Sequence, residues 1–114
     1  MTKKEYNDYI EALERQRYQF FGSSQNRGYV KLIECRDNED GDSMVVCQLV
    51  FNIYKVKYHC SGDEYYSIVP VVVVTRNDDE RLDFTIGSPK RSVEECEHLA
   101  KEFLRWVDVN IDIK

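Results

Sequence analysis

From Lys3 onward apolar residues recur every three or four positions at Tyr6, Tyr9, Ile10, Leu13 and Phe20, with the aliphatic stem of Arg17 on the same side. That spacing marks one face of an α-helix, so the pattern predicts a helix over 3–21 that turns this face inward. Thr2, followed three residues later by Glu5, forms a capping box at its start, and Gly22 is the expected stop.

After the polar loop GSSQNRG the period drops to that of strands. Four runs follow, over 29–36, 43–58, 64–75 and 81–86. Asp40-Gly41, Ser61-Gly62-Asp63 and Asn77-Asp78-Asp79-Glu80 supply the turns between them. Links this short join antiparallel neighbours, which predicts a meander. A second helix begins at Ser92, where SVEE is another capping box with Glu95, and runs to about Trp106 on a stripe of Val93, Cys96, Leu99, Ala100, Phe103 and Val107. The tail VDVNIDIK alternates and is expected to form a short edge strand. The expected fold is one α+β domain over 1–114, a four-stranded antiparallel meander packed by an N-terminal and a C-terminal helix.

The longest apolar run, Ile68–Val74, is far short of the roughly 20 residues of a spanning helix. It also contains Pro70. Pairing the strands through their turns sets Arg76 against Arg81, Thr75 against Leu82, Val73 against Phe84 and Val71 against Ile86. Pro70 then falls one step past the end of the fourth strand, where its missing N–H costs nothing. The same alignment leaves the lower part of the second hairpin projecting. Tyr54, Val56, Tyr58, Tyr66 and Ile68 are expected on one of its faces and Lys55, Lys57 and Tyr65 on the other. Tyrosine joins a large contact area to a polar tip, so Tyr54, Tyr58, Tyr65 and Tyr66 form a candidate docking surface unless a helix covers them.

Charge adds a second candidate. In a four-strand meander the first and third turns share one end of the sheet. That end collects seven carboxylates, Asp37, Glu39, Asp40, Asp42, Asp78, Asp79 and Glu80, against Arg36, Arg76 and Arg81, which is −4 of the chain's net −5. The opposite end gathers Arg27, His59, Lys90 and Arg91. An acidic pole steers a positively charged partner or imitates the phosphates met by a nucleic-acid-binding protein. The overall balance argues against direct nucleic-acid binding, which draws on clustered Lys and Arg. RDNEDGD is out of register for a calcium loop: with Gly41 sixth, the first ligand would be Arg36 and the twelfth Cys47.

Length and composition, 114 residues with 42% hydrophobic and 32% charged, suit a single core. The charged N-terminal stretch lacks a secretory apolar region, so a cytoplasmic protein is expected. Cys35, Cys47, Cys60 and Cys96 show no CxxC pairing and are expected as free thiols. His59-Cys60 and Cys96-Glu97-His98 lack metal-knuckle spacing, and neighbouring strand residues such as His59 and Cys60 point to opposite faces. GSSQNRG has no GK[ST] ending and lies between a helix and a strand, the reverse of a phosphate loop. Lys90, Arg91 and Ser92 could hold one anion at the second helix's start. NIYKVK offers lysines without the carboxylates of a metal-dependent nuclease, and EECEHLAKEF lacks the basic patch of a double-stranded-RNA-binding domain.

The expectation is a non-enzymatic protein-binding module without a cofactor, a monomer or homodimer. It would be an inhibitor or immunity-type antagonist of the phage or mobile-element kind, docking on a basic surface such as that of a nucleic-acid-processing protein. The alternative is a small enzyme or ligand-binding domain with a pocket between helix and sheet near His59, Cys60 and His98.

Overall fold

In the computed structural model, which describes residues 1–23, 26–37, 44–57, 60–77, 80–86 and 91–110, the capping box at Thr2 opens α1, Lys3–Arg15. The Glu5 N–H donates to Thr2 Oγ1 (3.1 Å) and the Thr2 N–H to Glu5 Oε1 (3.3 Å). The helix stops well before Gly22. Arg17 takes a left-handed conformation (φ 67°), its N–H donates to the Glu14 carbonyl (3.1 Å), and the Tyr18 N–H donates to the Leu13 carbonyl (3.0 Å). This is a Schellman ending with arginine where glycine is usual. The chain reverses there, and the expected helical residue Phe20 lies instead in a fifth strand, β1, Gln19–Gly22.

The remaining strands are β2 (Arg27–Asp37), β3 (Met44–Lys57), β4 (Glu64–Arg76) and β5 (Glu80–Thr85). They lie in the order β1-β2-β3-β4-β5, each antiparallel to the next. The molecule is therefore an α+β fold with an antiparallel meander, as its turns predicted, plus one short edge strand. A bulge between Leu32 and Glu34 lets Ile33 pack against the core. The second helix, α2, spans Val93–Asn110. Ser92 caps it, accepting from the Glu95 N–H (3.1 Å) and donating to Glu95 Oε1 (3.3 Å). It runs four residues past Trp106 because fully buried Val107 extends the stripe of Val93, Cys96, Ala100 and Leu104. The expected edge strand is helical through Asn110, and residues 111–114 lie outside those described.

Register differs from expectation by one residue at β5. Arg76 faces Glu80, Val74 faces Leu82 and Val72 faces Phe84. A one-residue shift moves every side chain to the other face. Phe84 thus joins Val72 on the helix-bearing side, where its ring stacks on Phe103 of α2 (centroids 4.8 Å). Pro70 sits as anticipated, one rung past the last β4·β5 pair, Val71↔Thr85. Its carbonyl still accepts from the Ile86 N–H (2.9 Å), but its ring nitrogen, on the same side of the strand, has no hydrogen to return to Ile86, so the ladder stops there at the cost of a single terminal bond.

Both helices lie on one face of the sheet. Tyr9 of α1 and Tyr18 set their rings against Phe51 (5.8 and 5.3 Å), and Phe103 of α2 meets Phe84. Leu13, Leu49, Phe51, Val72, Val74, Cys96, Ala100 and Leu104 form the core between them. Half-buried Glu97 joins the layers, accepting from the Tyr18 hydroxyl (2.7 Å) and from Lys31 Nζ (3.3 Å). Burial and the Glu97 carboxylate both push the Tyr18 phenol above its ordinary range. Tyr29 is pushed up to about 12 by burial and by its hydrogen bond to Glu14.

Candidate functional site

Cross-strand register decides which residues share the sheet's other face. Val30, Val50, Val71 and Thr85 form one rung, Leu32, Gln48, Val73 and Asp83 the next, and Cys35, Val46, Thr75 and Arg81 a third. Toward the other end lie Asn52 and Val69, then Tyr54 and Ser67, then Tyr65. Leu32 is 53% exposed and Met44, Tyr54 and Tyr65 are also exposed, while Val30, Val46, Val50, Val69 and Val71 are half-buried by their neighbours alone. Among the described residues no helix covers this face.

An antiparallel sheet with one wet face normally alternates apolar and polar residues along each strand. β3 and β4 do not. From Ile68 to Val74 both the helix-facing and the outward positions are apolar, the composition of a strand covered on both sides. The central rungs across β2, β3 and β4 carry no charged side chain. An uncharged and largely apolar face of this kind, exposed at Leu32, Tyr54 and Tyr65 and partly exposed at Val30, Val46, Val50, Val69 and Val71, marks an interaction surface in a folded protein.

The predicted tyrosine cluster is divided between the two faces. Lys55 pairs with Tyr66 and Val56 with Tyr65, so Tyr66 shares the helix-bearing face with Lys55. Tyr66 is buried under α1 against the Tyr6 ring (4.8 Å), and the Met1 amino nitrogen donates to its carbonyl (3.1 Å). It is not part of a docking surface. Its hydroxyl donates to Glu64 (2.5 Å), which draws the Glu64 carboxyl below its ordinary range. Tyr54 and Tyr65 stand diagonally on the open face, each half exposed, and extend its apolar area along the projecting hairpin.

The strand ends that flank the two acidic turns, Asp37 and Met44 for one and Arg76 and Glu80 for the other, lie at the same end of the sheet. Asn77, closing β4 with φ 55°, accepts from the Met44 N–H through Oδ1 (2.8 Å) and donates its own N–H to the Met44 carbonyl (2.9 Å). This ties the end of β4 to the start of β3. Of the predicted acidic residues, Asp37 and Glu80 are described and exposed, while Glu39, Asp40, Asp42, Asp78 and Asp79 lie outside the described residues, with Tyr58 and His59. Arg76 pairs with Glu80, so that carboxylate is neutralised. Arg36 and Arg81 pair with Glu34 (3.0 Å) and Asp83 (2.8 Å), two carboxylates that counting turn residues alone overlooked.

The pocket expected near His59, Cys60 and His98 involves His59, which lies outside the described residues. A cleft of about 340 Å³ lies between α1 and the start of α2, lined by Met1, Glu5, Asp8, Tyr9, Ala12, Ser92, Val93 and Glu94. Neither Cys60 nor His98 lines it. His98 is on the solvent side of α2, bonded to Glu102 (2.9 Å), and Cys60 is exposed at the β3–β4 turn. Glu5, Asp8 and Glu94 make the cleft acidic, and Ser92 at its edge serves as the cap of α2. Among the described residues no group of three His, Cys, Asp or Glu side chains is placed to hold a metal ion.

All four cysteines are free. Cys35 and Cys60 are exposed and Cys47 and Cys96 buried. Burial, with Glu34 nearby, pushes the Cys47 thiol up to about 11, and burial raises Cys96 as well. At pH 8 a colorimetric thiol reagent is therefore expected to label Cys35 and Cys60 within minutes and the other pair only after denaturant is added. Fast labelling of all four would mean that the core between sheet and helices opens readily.

No protein-family model, curated protein or solved structure matches this chain.

Proposed function

We propose that the protein is a small acidic binding module that acts by docking on another protein, in the manner of an inhibitor or immunity-type antagonist such as phages and mobile elements encode. The observation that carries this reading is the open sheet face. From Ile68 to Val74 β4 is apolar on both sides, the rungs of β2 and β3 beside it carry no charge on the outward side, and the helices occupy only the other. Burying such a face contributes about 25 cal/mol per Å² of apolar area, the largest contact energy the surface offers. Exposed Tyr54 and Tyr65 enlarge it with side chains favoured at interfaces.

The acidic end has a separate role. Charges at a rim set encounter rate and orientation more than affinity, so this pole favours approach by a basic protein surface, including that of a nucleic-acid-processing protein. Ion pairs at Arg36, Arg76 and Arg81 temper the field without cancelling an excess of acid at that end.

Comparative capture from host lysate separates the two contributions. Val69→Lys, on the open face, is expected to lower retention of the bound protein at least tenfold. Neutralising Asp40, Asp42, Asp78 and Asp79 together is expected to flatten the salt dependence of capture. Retention of the same proteins, in the same amounts, by wild type and Val69→Lys would refute docking through this face.

A further inference from the structure

We infer that the partner seated on the open sheet face is a second copy of this chain, the two sheets packing face to face around a two-fold axis. The inference rests on the reading of that face as a docking surface and names its occupant.

Three observations point to self-association. The first is charge. Each chain carries −5, yet the central rungs, Val30 with Val50 and Val71 and Leu32 with Gln48 and Val73, carry none. A basic protein is met by the acidic ends of the sheet, outside this patch. A second copy requires a patch that does not repel itself, and an uncharged one meets that requirement.

The second is shape. A twofold interface places the same patch against itself, and stacked sheets do this at about 10 Å separation with their strands roughly 30° apart. β-Branched side chains supply the regular surface that such layers need. Val46, Val50, Val69 and Val71 provide it over the two longest strands, β3 and β4, which pair from Val45↔Arg76 to Lys57↔Glu64.

The third is size. Three strands, β2 to β4, at about 4.8 Å spacing and about ten residues at about 3.3 Å rise cover on the order of 500 Å². With the relief of its side chains such a patch reaches roughly 600 Å² per partner, the lower end of specific stable interfaces.

Charge also selects the orientation. An axis lying in the interface parallel to the strands would stack the two acidic ends. An axis across the strands sends them to opposite poles, and this arrangement costs less. It centres the contact on Val50 and Val71 and sets Tyr54 and Tyr65 of one copy near the Asp37 end of the other. Two acidic poles then remain open to a basic protein.

Analytical ultracentrifugation over about 1–100 µM tests the inference. Wild type is expected to sediment as a dimer of the 13.5 kDa chain. Its dissociation constant should tighten several-fold between about 20 and 500 mM salt, as screening relieves repulsion between the like-charged copies. Val50→Lys and, independently, Val71→Lys should each raise that constant at least 100-fold while leaving the far-UV circular dichroism unchanged. Val50→Thr, closer to valine in shape, should weaken the dimer less and guards against a folding defect in the lysine variants. A dimer that survives both lysine substitutions, or that loosens as salt rises, overturns the inference. A wild type monomeric at 100 µM also overturns it, and if Val69→Lys still abolishes capture of another protein, the docking reading stands without it.

Discussion

Phe51→Ala is expected to lower the unfolding free energy by about 3–5 kcal/mol, the range for emptying a fully buried aromatic site. Phe51 has no exposed surface and occupies the middle of β3, the central strand. Tyr9 from α1 and Tyr18 from the turn beyond it both set their rings against it, at 5.8 and 5.3 Å. Removing the ring therefore leaves a cavity and also undoes the seat of α1. Urea unfolding should show a lower midpoint with an unchanged slope if only the native packing is affected. Since domains of this size have about 5–15 kcal/mol in total, the variant should be marginal at room temperature. Phe51→Leu, which retains most of the apolar volume, should lose less than half as much. A loss below about 1 kcal/mol for Phe51→Ala would mean that α1 is not held at this position.

Gly28→Ala is expected to cost about 1–3 kcal/mol through overpacking. A methyl group there would stand 2.4 Å from the Phe51 carbonyl oxygen and 2.6 Å from Phe21 Cζ. The Phe21 ring can swing aside. The Phe51 carbonyl belongs to the neighbouring strand's backbone and can retreat only if β2 and β3 separate. Adding Phe21→Ala to Gly28→Ala should therefore recover little stability. Gly22→Ala makes a useful contrast, because its methyl would meet only the Phe20 and Arg27 side chains, at 3.0–3.3 Å. Thermal unfolding of the three variants beside wild type checks the order, and equal losses for Gly22→Ala and Gly28→Ala would contradict it.

How much of this could be foreseen varies with the signal involved. Capping boxes at Thr2 and Ser92 are short-range chemistry, and both helix starts lie where they were expected. The stop of α1 was invisible because Arg17 fills a position that sequence rules assign to glycine, and β1 was hidden inside the presumed helix as a result. Pro70 was legible from strand lengths alone, because one residue of slip at β5 still leaves it beyond the ladder.

Faces were less legible than strands. In a run apolar at every position, such as Ile68–Val74, no hydrophobic pattern selects the inward side, so register had to come from turn geometry. One residue of slip in the β3·β4 pairing set Tyr66 on the face of Tyr54, where it was counted with Tyr65 as a docking residue, and one in the β4·β5 pairing hid the stack of Phe84 on Phe103. The lack of alternation in β3 and β4 was itself the signal for the open face. In β4 it marks a strand suited to cover on both sides. At the acidic end, Glu34 and Asp83 escaped notice because they belong to strands, away from the turns that were counted.

The valines that suit β4 to a buried sheet also make its sequence, before folding, the kind of low-charge β-branched segment that stacks into amyloid. Pro70 interrupts it. A residue without an amide hydrogen cannot take its place in an in-register cross-β stack, so a proline that costs the native ladder only its end bond protects the nascent chain from its own copies.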